Sequence, residues 1–183
     1  MDLRIAIVPV GRMDPAEVEA VAARMAKVVN TSVSVRQPAP LPKAGDDPAR
    51  GQHVAGPFLA DLRGVLARSA VTADATLFVT DVDLYKPGTD SVFGDIDPAA
   101  RVAVLSVRRL REAFYRRKAD PAKARARLVK LSLYALGRAF GLPECREPGC
   151  ALFTTAALAD IDTKKEKYCA SCWRRMTTGA HRI

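Results

Sequence analysis

Short apolar runs and amphipathic segments alternate along the first two thirds of the chain. Residues 3–10 are rich in Ile and Val and predict a strand. Asp14 and Pro15 then supply a helix N-cap and a first-turn proline ahead of apolar residues at helical spacing. The pattern continues with a strand at 31–35, a loop at 37–51, a helix at 57–68, a buried strand at 75–82, a hairpin arm at 91–94 and a strand at 102–107.

A long helix closes this pattern. It begins at Pro121 and runs to about Phe140, where Gly141 and Pro143 end it. The order of elements predicts an α/β fold (α+β-like): one domain over 1–183, with a mixed, mostly parallel sheet and helices packed on it. We expect a sheet and helix core at 1–142 and a small C-terminal part at 143–183.

The bulk composition fits such a domain. The chain has 183 residues, and a hydrophobic content of 49% is enough for a real core. No apolar run approaches the ~20 residues needed to cross a bilayer, and residues 1–10 lack a signal-peptide pattern. We therefore expect a soluble cytoplasmic protein with no membrane partner.

All four cysteines lie near the C-terminus, at Cys145, Cys150, Cys169 and Cys172. Two close pairs separated by 18 residues have the spacing of a four-thiolate zinc site. Four thiolates fill a tetrahedron, so such a zinc would be structural. Two disulfides or free thiols are the alternatives, and cytosolic disulfides are rare. We predict one structural zinc per chain.

The long helix carries the frame of a zinc-peptidase helix without its chemistry. In the frame H-E-x-x-H-x-x-G-x-x-H, Tyr134 and Arg138 stand where two zinc-binding histidines would be. Ala135 stands where the general-base Glu would be, and Glu144 replaces the third histidine. A guanidinium is a donor only and an alanine offers no base, so we predict no catalytic residue here.

Three further segments add to the pattern of this helix. They are Ile5 to Gly11, the stretch from Thr80 to Tyr85 with Val92-Phe93-Gly94, and the two cysteine pairs. On these segments the chain resembles the archaemetzincins, small metzincin-type peptidases with a catalytic zinc and a separate structural zinc. The resemblance implies their fold and the structural zinc at the cysteines. It also implies a peptide groove along an edge strand near the hairpin at 84–93. The family's Met after the second cysteine is replaced by Leu152.

The replaced positions suggest their own arrangement. Tyr134 and Arg138 are one helical turn apart, and Glu144 should return over the same spot after the Gly141 turn. We expect Arg138 to pair with Glu144 and stand in for part of the zinc charge, with drifted, solvated side chains as the alternative. His53 and His181 are both expected at the surface.

Asp81 and Asp83 could join Glu144 in a weak carboxylate site. Hairpin and loop hydrogen bonding is the favoured role for these two aspartates.

Ten basic residues lie between Arg108 and Lys130, opposed only by Glu112 and Asp120, in a chain of net charge +9. A solvated face is the favoured interpretation, and nucleic-acid contact is the alternative. Three functions follow in order: a non-catalytic homologue of a zinc peptidase that binds a peptide or protein, an active hydrolase with a rearranged metal site, and a basic zinc-containing nucleic-acid binder.

Overall fold

The computed structural model describes residues 3–69 and 71–179. Its elements, in chain order, are β1 (Arg4–Val10), α1 (Pro15–Val29), β2 (Ser32–Val35), β3 (Asp46–Asp47), β4 (Gln52–Val54), α2 (Ala55–Ala67), β5 (Ala75–Thr80), β6 (Leu84–Tyr85), β7 (Gly94–Asp97), β8 (Val102–Ser106), two 3-10 turns (Arg108–Leu110 and Glu112–Tyr115), α3 (Pro121–Ala139), α4 (Leu158–Thr163) and α5 (Ala170–Gly179).

The main sheet has five strands in the order β2-β1-β5-β8-β7. The first four are parallel, and β7 pairs antiparallel with β8 at the edge. This confirms the mixed, mostly parallel sheet. The predicted hairpin arm at 91–94 is displaced, because Val92 makes only an isolated bridge to Leu84 and the paired strand begins at Gly94. A small second sheet, β3-β4-β6, lies partly inside the predicted loop at 37–51.

The alternation of side chains along the strands divides the core between the two faces of the sheet. Ile5, Ile7 and Leu77 belong to one apolar cluster with α1 and α3. Val8 and Phe78 belong to a second cluster with α2. The strands are thus covered on both faces, which explains why they appear in the sequence as continuous apolar runs.

Helix α3 crosses the first of these faces. Its N-cap is Asp120, whose carboxylate accepts the backbone N–H of Lys123 at 2.9 Å. At the other end Gly141 adopts a φ of 77°, and the N–H of Leu142 returns to the carbonyl of Gly137 at 3.0 Å. This left-handed turn reverses the chain after α3 and sends residue 144 back alongside the helix.

The C-terminal segment docks on α3 through a few specific contacts. Leu152 is fully buried against Gly137, where an added Cβ would lie 2.8 Å from the Leu152 Cδ2. The hydroxyl of Tyr168 donates to the carbonyl of Leu133 at 2.6 Å. Ile161 joins the apolar cluster that holds α1 and α3. Within the described residues, no helix has the length and apolar character to span a membrane.

Candidate metal centre and replaced catalytic cleft

The four cysteines converge at the start of the C-terminal segment. Their sulfur atoms all lie within 4.8 Å of one another, and none forms a disulfide. The sulfurs of Cys145 and Cys169 are 3.9 Å apart. A tetrahedral zinc with Zn–S bonds of about 2.3 Å requires sulfur pairs about 3.8 Å apart. The cluster therefore fits a zinc ion, and no position is left for water or substrate.

Backbone N–H groups already point at these sulfurs, as expected for thiolates. The N–H of Glu147 lies 3.4 Å from the Cys145 sulfur. The Cys150 sulfur accepts from the N–H groups of Leu152 and Cys169 at 3.5 and 3.3 Å. Such donors stabilise the negative charge that metal-bound sulfur carries. The two loops that bear the cysteine pairs are thus folded around one site.

The thiols of the cluster have unequal acidities before any metal charge is considered. The backbone N–H of Cys172 is the main cause that lowers the pKa of Cys169 to about 7. Burial raises the pKa of Cys150 and of Cys172. A zinc ion would oppose this burial effect, because a coordinating thiol loses its proton outright.

On the exposed side of α3, the replaced catalytic residues meet in a different way from the one the sequence suggests. Tyr134 and Glu144 do come together, since the tyrosine hydroxyl donates to the Glu144 carboxylate at 2.6 Å. The expected Arg138–Glu144 pair is wrong. Arg138 instead donates to the carbonyl of Leu142 at 2.6 Å, and no ion pair with Glu144 forms within residues 3–69 and 71–179. The left-handed turn at Gly141 brings the Leu142 carbonyl back within reach of the guanidinium.

The cation beside Tyr134 is Lys164, which follows α4 directly. Its ammonium lies 4.2 Å from the centre of the Tyr134 ring, and it also donates to the hydroxyl of Thr155. The Lys164 residue is only 2% exposed. Burial lowers its pKa to about 8, against the opposing effect of Glu144 and Asp160. Burial and the hydrogen bond to Glu144 raise the pKa of Tyr134, so its phenol stays protonated.

Tyr134, Arg138 and Thr155 line a cleft of about 470 Å³. One wall is formed by Leu131, Tyr134 and Arg138 of α3, and the opposite wall by β7 and the hairpin before it. Thr155 and Ala156 also line the cleft. The cleft holds no histidine side chain, and the cysteine quartet is the only cluster of metal-ligating side chains in the described part of the chain.

The edge strand β7 does not present a bare backbone to this cleft. Asp95 accepts the backbone N–H of Ile96 at 2.9 Å and the ammonium of Lys86 at 2.6 Å. A side chain thereby covers one outward N–H group of the edge, which is a common way to protect an unpaired strand.

The remaining candidate ligands have structural roles. His53 is buried, not at the surface as predicted, because its ring packs edge-on against Phe58 with centroids 5.2 Å apart. The Asp83 carboxylate accepts hydrogen bonds from Nε and Nη2 of Arg109, each at 2.7 Å. The Gln52 side chain donates to it as well. Asp83 does not meet Asp81 and Glu144 in a metal site. His181 lies outside the described residues.

Five of the ten basic residues at 108–130 form ion pairs with carboxylates of the protein. Arg127 is only 1% exposed and binds Glu112 and Asp162. Arg117 and Lys123 also pair with Glu112. A solvated face therefore describes only part of the run. The sequence did not predict that Arg127 is buried, because no residue pattern in α3 distinguishes it from the exposed basic residues around it.

Comparison with known proteins completes the assignment. The family model for peptidase family M54 matches residues 50–178. This chain belongs to peptidase family M54. An archaemetzincin of Pyrococcus horikoshii is 35% identical to it over 130 residues, which cover 71% of this chain and 68% of that protein.

Two solved structures of similar proteins carry the likeness over nearly the whole chain. A zinc-dependent peptidase from Methanocorpusculum labreanum superposes with a TM-score of 0.84 at 27% identity, covering 97% of this chain and all of that one. The archaemetzincin of Methanopyrus kandleri gives a TM-score of 0.81 at 28% identity, covering 99% and 97%. The resemblance predicted from the motifs is confirmed. The four cysteines of this M54 member form a cluster that can hold a metal ion.

Proposed function

We propose that this chain is a non-catalytic member of the archaemetzincin family as far as zinc chemistry is concerned, that it keeps one structural zinc, and that its cleft binds a peptide. The observation that carries the proposal is the Tyr134–Glu144 hydrogen bond beneath the Lys164 ammonium. The phenol of Tyr134, the guanidinium of Arg138 and the carboxylate of Glu144 take the positions where the family frame has histidines.

The chemistry of these groups argues against a second zinc. A zinc peptidase needs two imidazoles on one helical face and a carboxylate that takes a proton from the zinc-bound water. Here Tyr134 is held protonated and Ala135 is buried without a functional group. The Lys164 ammonium would repel a divalent ion placed against the same ring.

Metal counting tests this proposal. We expect one zinc per chain in protein purified without added zinc, and no peptide cleavage that a chelator abolishes. A variant with Tyr134→His, Ala135→Glu, Arg138→His and Glu144→His restores the family frame. We expect it to bind a second zinc weakly, and more tightly once Lys164→Leu is added. Two zinc ions in the unmodified chain, or chelator-sensitive peptidase activity, would refute the loss of zinc chemistry.

Peptide binding rests on the edge strand β7 and the cleft beside it. An extended segment can add to an exposed sheet edge through main-chain hydrogen bonds. The Asp95 side chain covers one of the N–H groups that such a segment would use. Asp95→Ala should therefore strengthen binding of peptides selected from a random library by about threefold to tenfold, the value of one net hydrogen bond.

Asp74→Ala is the matched control for the peptide experiment. Asp74 accepts the backbone N–H of Arg4 at 2.7 Å, on the opposite side of the sheet order from β7. We expect this variant to leave peptide affinity unchanged. If neither the unmodified chain nor Asp95→Ala selects any peptide, the proposed peptide binding is wrong. The proposal of one structural zinc is tested separately by the metal count.

A nucleic-acid ligand is a second candidate, supported by one surface feature. Phe114 and Tyr115 are 37% and 39% exposed, and Arg109 and Arg117 lie over their rings. Exposed aromatic rings beside cations can stack on unpaired bases. Titration with single-stranded RNA at several salt concentrations tests it: affinity should fall steeply with salt if several phosphates are contacted. Binding unchanged in Phe114→Ala would exclude this surface.

A further inference from the structure

One pair of side chains in the cleft has chemistry that needs no metal. Thr155 lines the cleft, and its hydroxyl accepts a hydrogen bond from the Lys164 ammonium. Lys164 is only 2% exposed, so it sits behind the hydroxyl and not in the path of a ligand. The Thr155 hydroxyl lies 3.4 Å from the Phe153 carbonyl, which holds its rotamer without competing strongly for its proton.

The surroundings of Lys164 favour a base that is available near neutral pH. Burial lowers its pKa to about 8, and Lys130 acts in the same direction. Glu144, Asp160 and Cys150 oppose this change, and the protonated phenol of Tyr134 faces the ammonium from α3. A lysine desolvated in this way can serve as a general base, as free lysines cannot.

We propose that Thr155 and Lys164 form a nucleophile and general-base pair that accepts an acyl group from a carboxylic ester bound in the cleft, without a metal ion. The chemistry of this pair is separate from peptide binding and uses no metal ion, although both residues lie in the C-terminal segment that the cysteine site stabilises.

Each step balances with the groups present and one water molecule. Neutral Lys164 Nζ takes the hydroxyl proton while Thr155 Oγ1 attacks the ester carbonyl carbon. The tetrahedral adduct collapses, the bond to the leaving alcohol breaks, and the Lys164 ammonium gives that alcohol its proton. Water then attacks the acyl-threonine with Lys164 again as the base, which releases the acid and regenerates the hydroxyl.

The cleft indicates which ester would fit. Val92, Phe93, Ile96 and Leu131 supply apolar surface, which suits a short aliphatic acyl chain. Arg138 lines the same cleft and uses one guanidinium nitrogen for the Leu142 carbonyl. Its other N–H groups can stabilise the negative charge on the adduct oxygen.

Incubation of the full, zinc-loaded chain with p-nitrophenyl butyrate tests the proposal. We expect a burst of nitrophenol and a hydroxylamine-labile butyryl ester that peptide mapping places on Thr155. The burst rate should rise with pH and level off above about 8, where Lys164 becomes mostly neutral. A chelator too weak to remove the cysteine-bound zinc should not change it, whereas residual peptidase chemistry on a more weakly held zinc would be lost.

Five variants make the assignment specific. Thr155→Val and Lys164→Met should each reduce the burst rate by about 100-fold or more, the usual contribution of a general base. Thr155→Ser should keep it. The adjacent controls Thr154→Val and Lys165→Met should leave it unchanged. Unchanged acylation in Thr155→Val, an acyl group found on another residue, or no burst at any pH would overturn the pair. Because valine is nearly isosteric with threonine, this variant tests the chemistry even if Lys164→Met unfolds.

Discussion

The cysteine cluster and the cleft at Tyr134 differ in what they have kept: the first retains a complete set of metal ligands, and the second has lost its own. The cysteine cluster contains four identical donors with sulfurs within 4.8 Å of one another, and backbone N–H groups are aimed at them. At the cleft beside α3, the Tyr134 phenol contacts both the Glu144 carboxylate and the Lys164 ammonium. The first arrangement requires a metal to neutralise its thiolates, whereas the second already balances its own charges.

This comparison shows why one site can be lost while the fold stays intact. Few large apolar residues support the C-terminal segment, so a metal at the cysteines would contribute directly to folding. A catalytic zinc contributes to chemistry, and its removal leaves a polar cavity that needs new partners. Lys164, Tyr134 and Glu144 provide those partners, and Gly137 against Leu152 preserves the contact between the two regions.

The largest effect is expected from breaking the cysteine cluster. Cys169→Ser should lose most of the bound zinc and loosen the segment after residue 143, because structural zinc sites supply about 10 kcal/mol or more of apparent binding free energy. Zinc content and thermal unfolding measure the change. Ser171→Ala, two residues further along in α5 and outside the cluster, should behave like the unmodified chain. Full zinc content and unchanged melting in Cys169→Ser would contradict the assignment.

The second largest change in stability is expected from the buried Lys164 ammonium beside the cleft. The pKa of Lys164 is lowered to about 8 in the folded state from 10.5, so between these values the unfolded chain holds one more proton. Stability relative to Lys164→Met should therefore rise with pH over this window, by up to about 3 kcal/mol. Denaturant unfolding at several pH values measures it. A difference that is flat between pH 8 and 10.5 would mean that Lys164 is solvated.

A smaller effect should come from the contact that joins the two regions. In Gly137→Ala the new Cβ would lie 2.8 Å from Leu152, which is fully buried and must shift. We expect a loss of about 1–2 kcal/mol, since overpacking exceeds the helix propensity that alanine gains. Gly64→Ala in α2 is the control, because its Cβ would meet only the end of the flexible Arg68 side chain. It should be neutral or stabilising in the same unfolding experiment.

The smallest changes in stability are expected at Glu144, and they distinguish its partner in the structure, Tyr134, from the partner expected from the sequence, Arg138. Tyr134→Phe and Glu144→Ala should each cost less than about 1 kcal/mol, since their hydrogen bond is exposed. Their double variant should show a coupling energy, whereas Arg138→Ala and Glu144→Ala should be additive. Coupling of Arg138 to Glu144, without coupling of Tyr134, would restore the pairing expected from helical spacing.

Most of the architecture could be predicted from the chain because its periodicity is local. The apolar runs of β1, β5 and β8 and the caps of α1 and α3 each depend on residues within a few positions of one another. The hairpin arm was displaced, since pairing of β7 depends on its partner β8 and not on the turn alone. His53 was misplaced for a similar reason: its burial comes from packing against α2.

The sequence by itself determined that the zinc-peptidase frame has lost its histidines and that four cysteines have metal-site spacing. These are properties of residue identity and order. Only the tertiary structure decided what fills the cleft. Lys164 reaches Tyr134 and Thr155 because α4 packs beside α3, although Tyr134 is 30 positions away along the chain. Arg138 donates to the Leu142 carbonyl instead of Glu144, because the left-handed turn at Gly141 places that carbonyl only four residues away and within its reach.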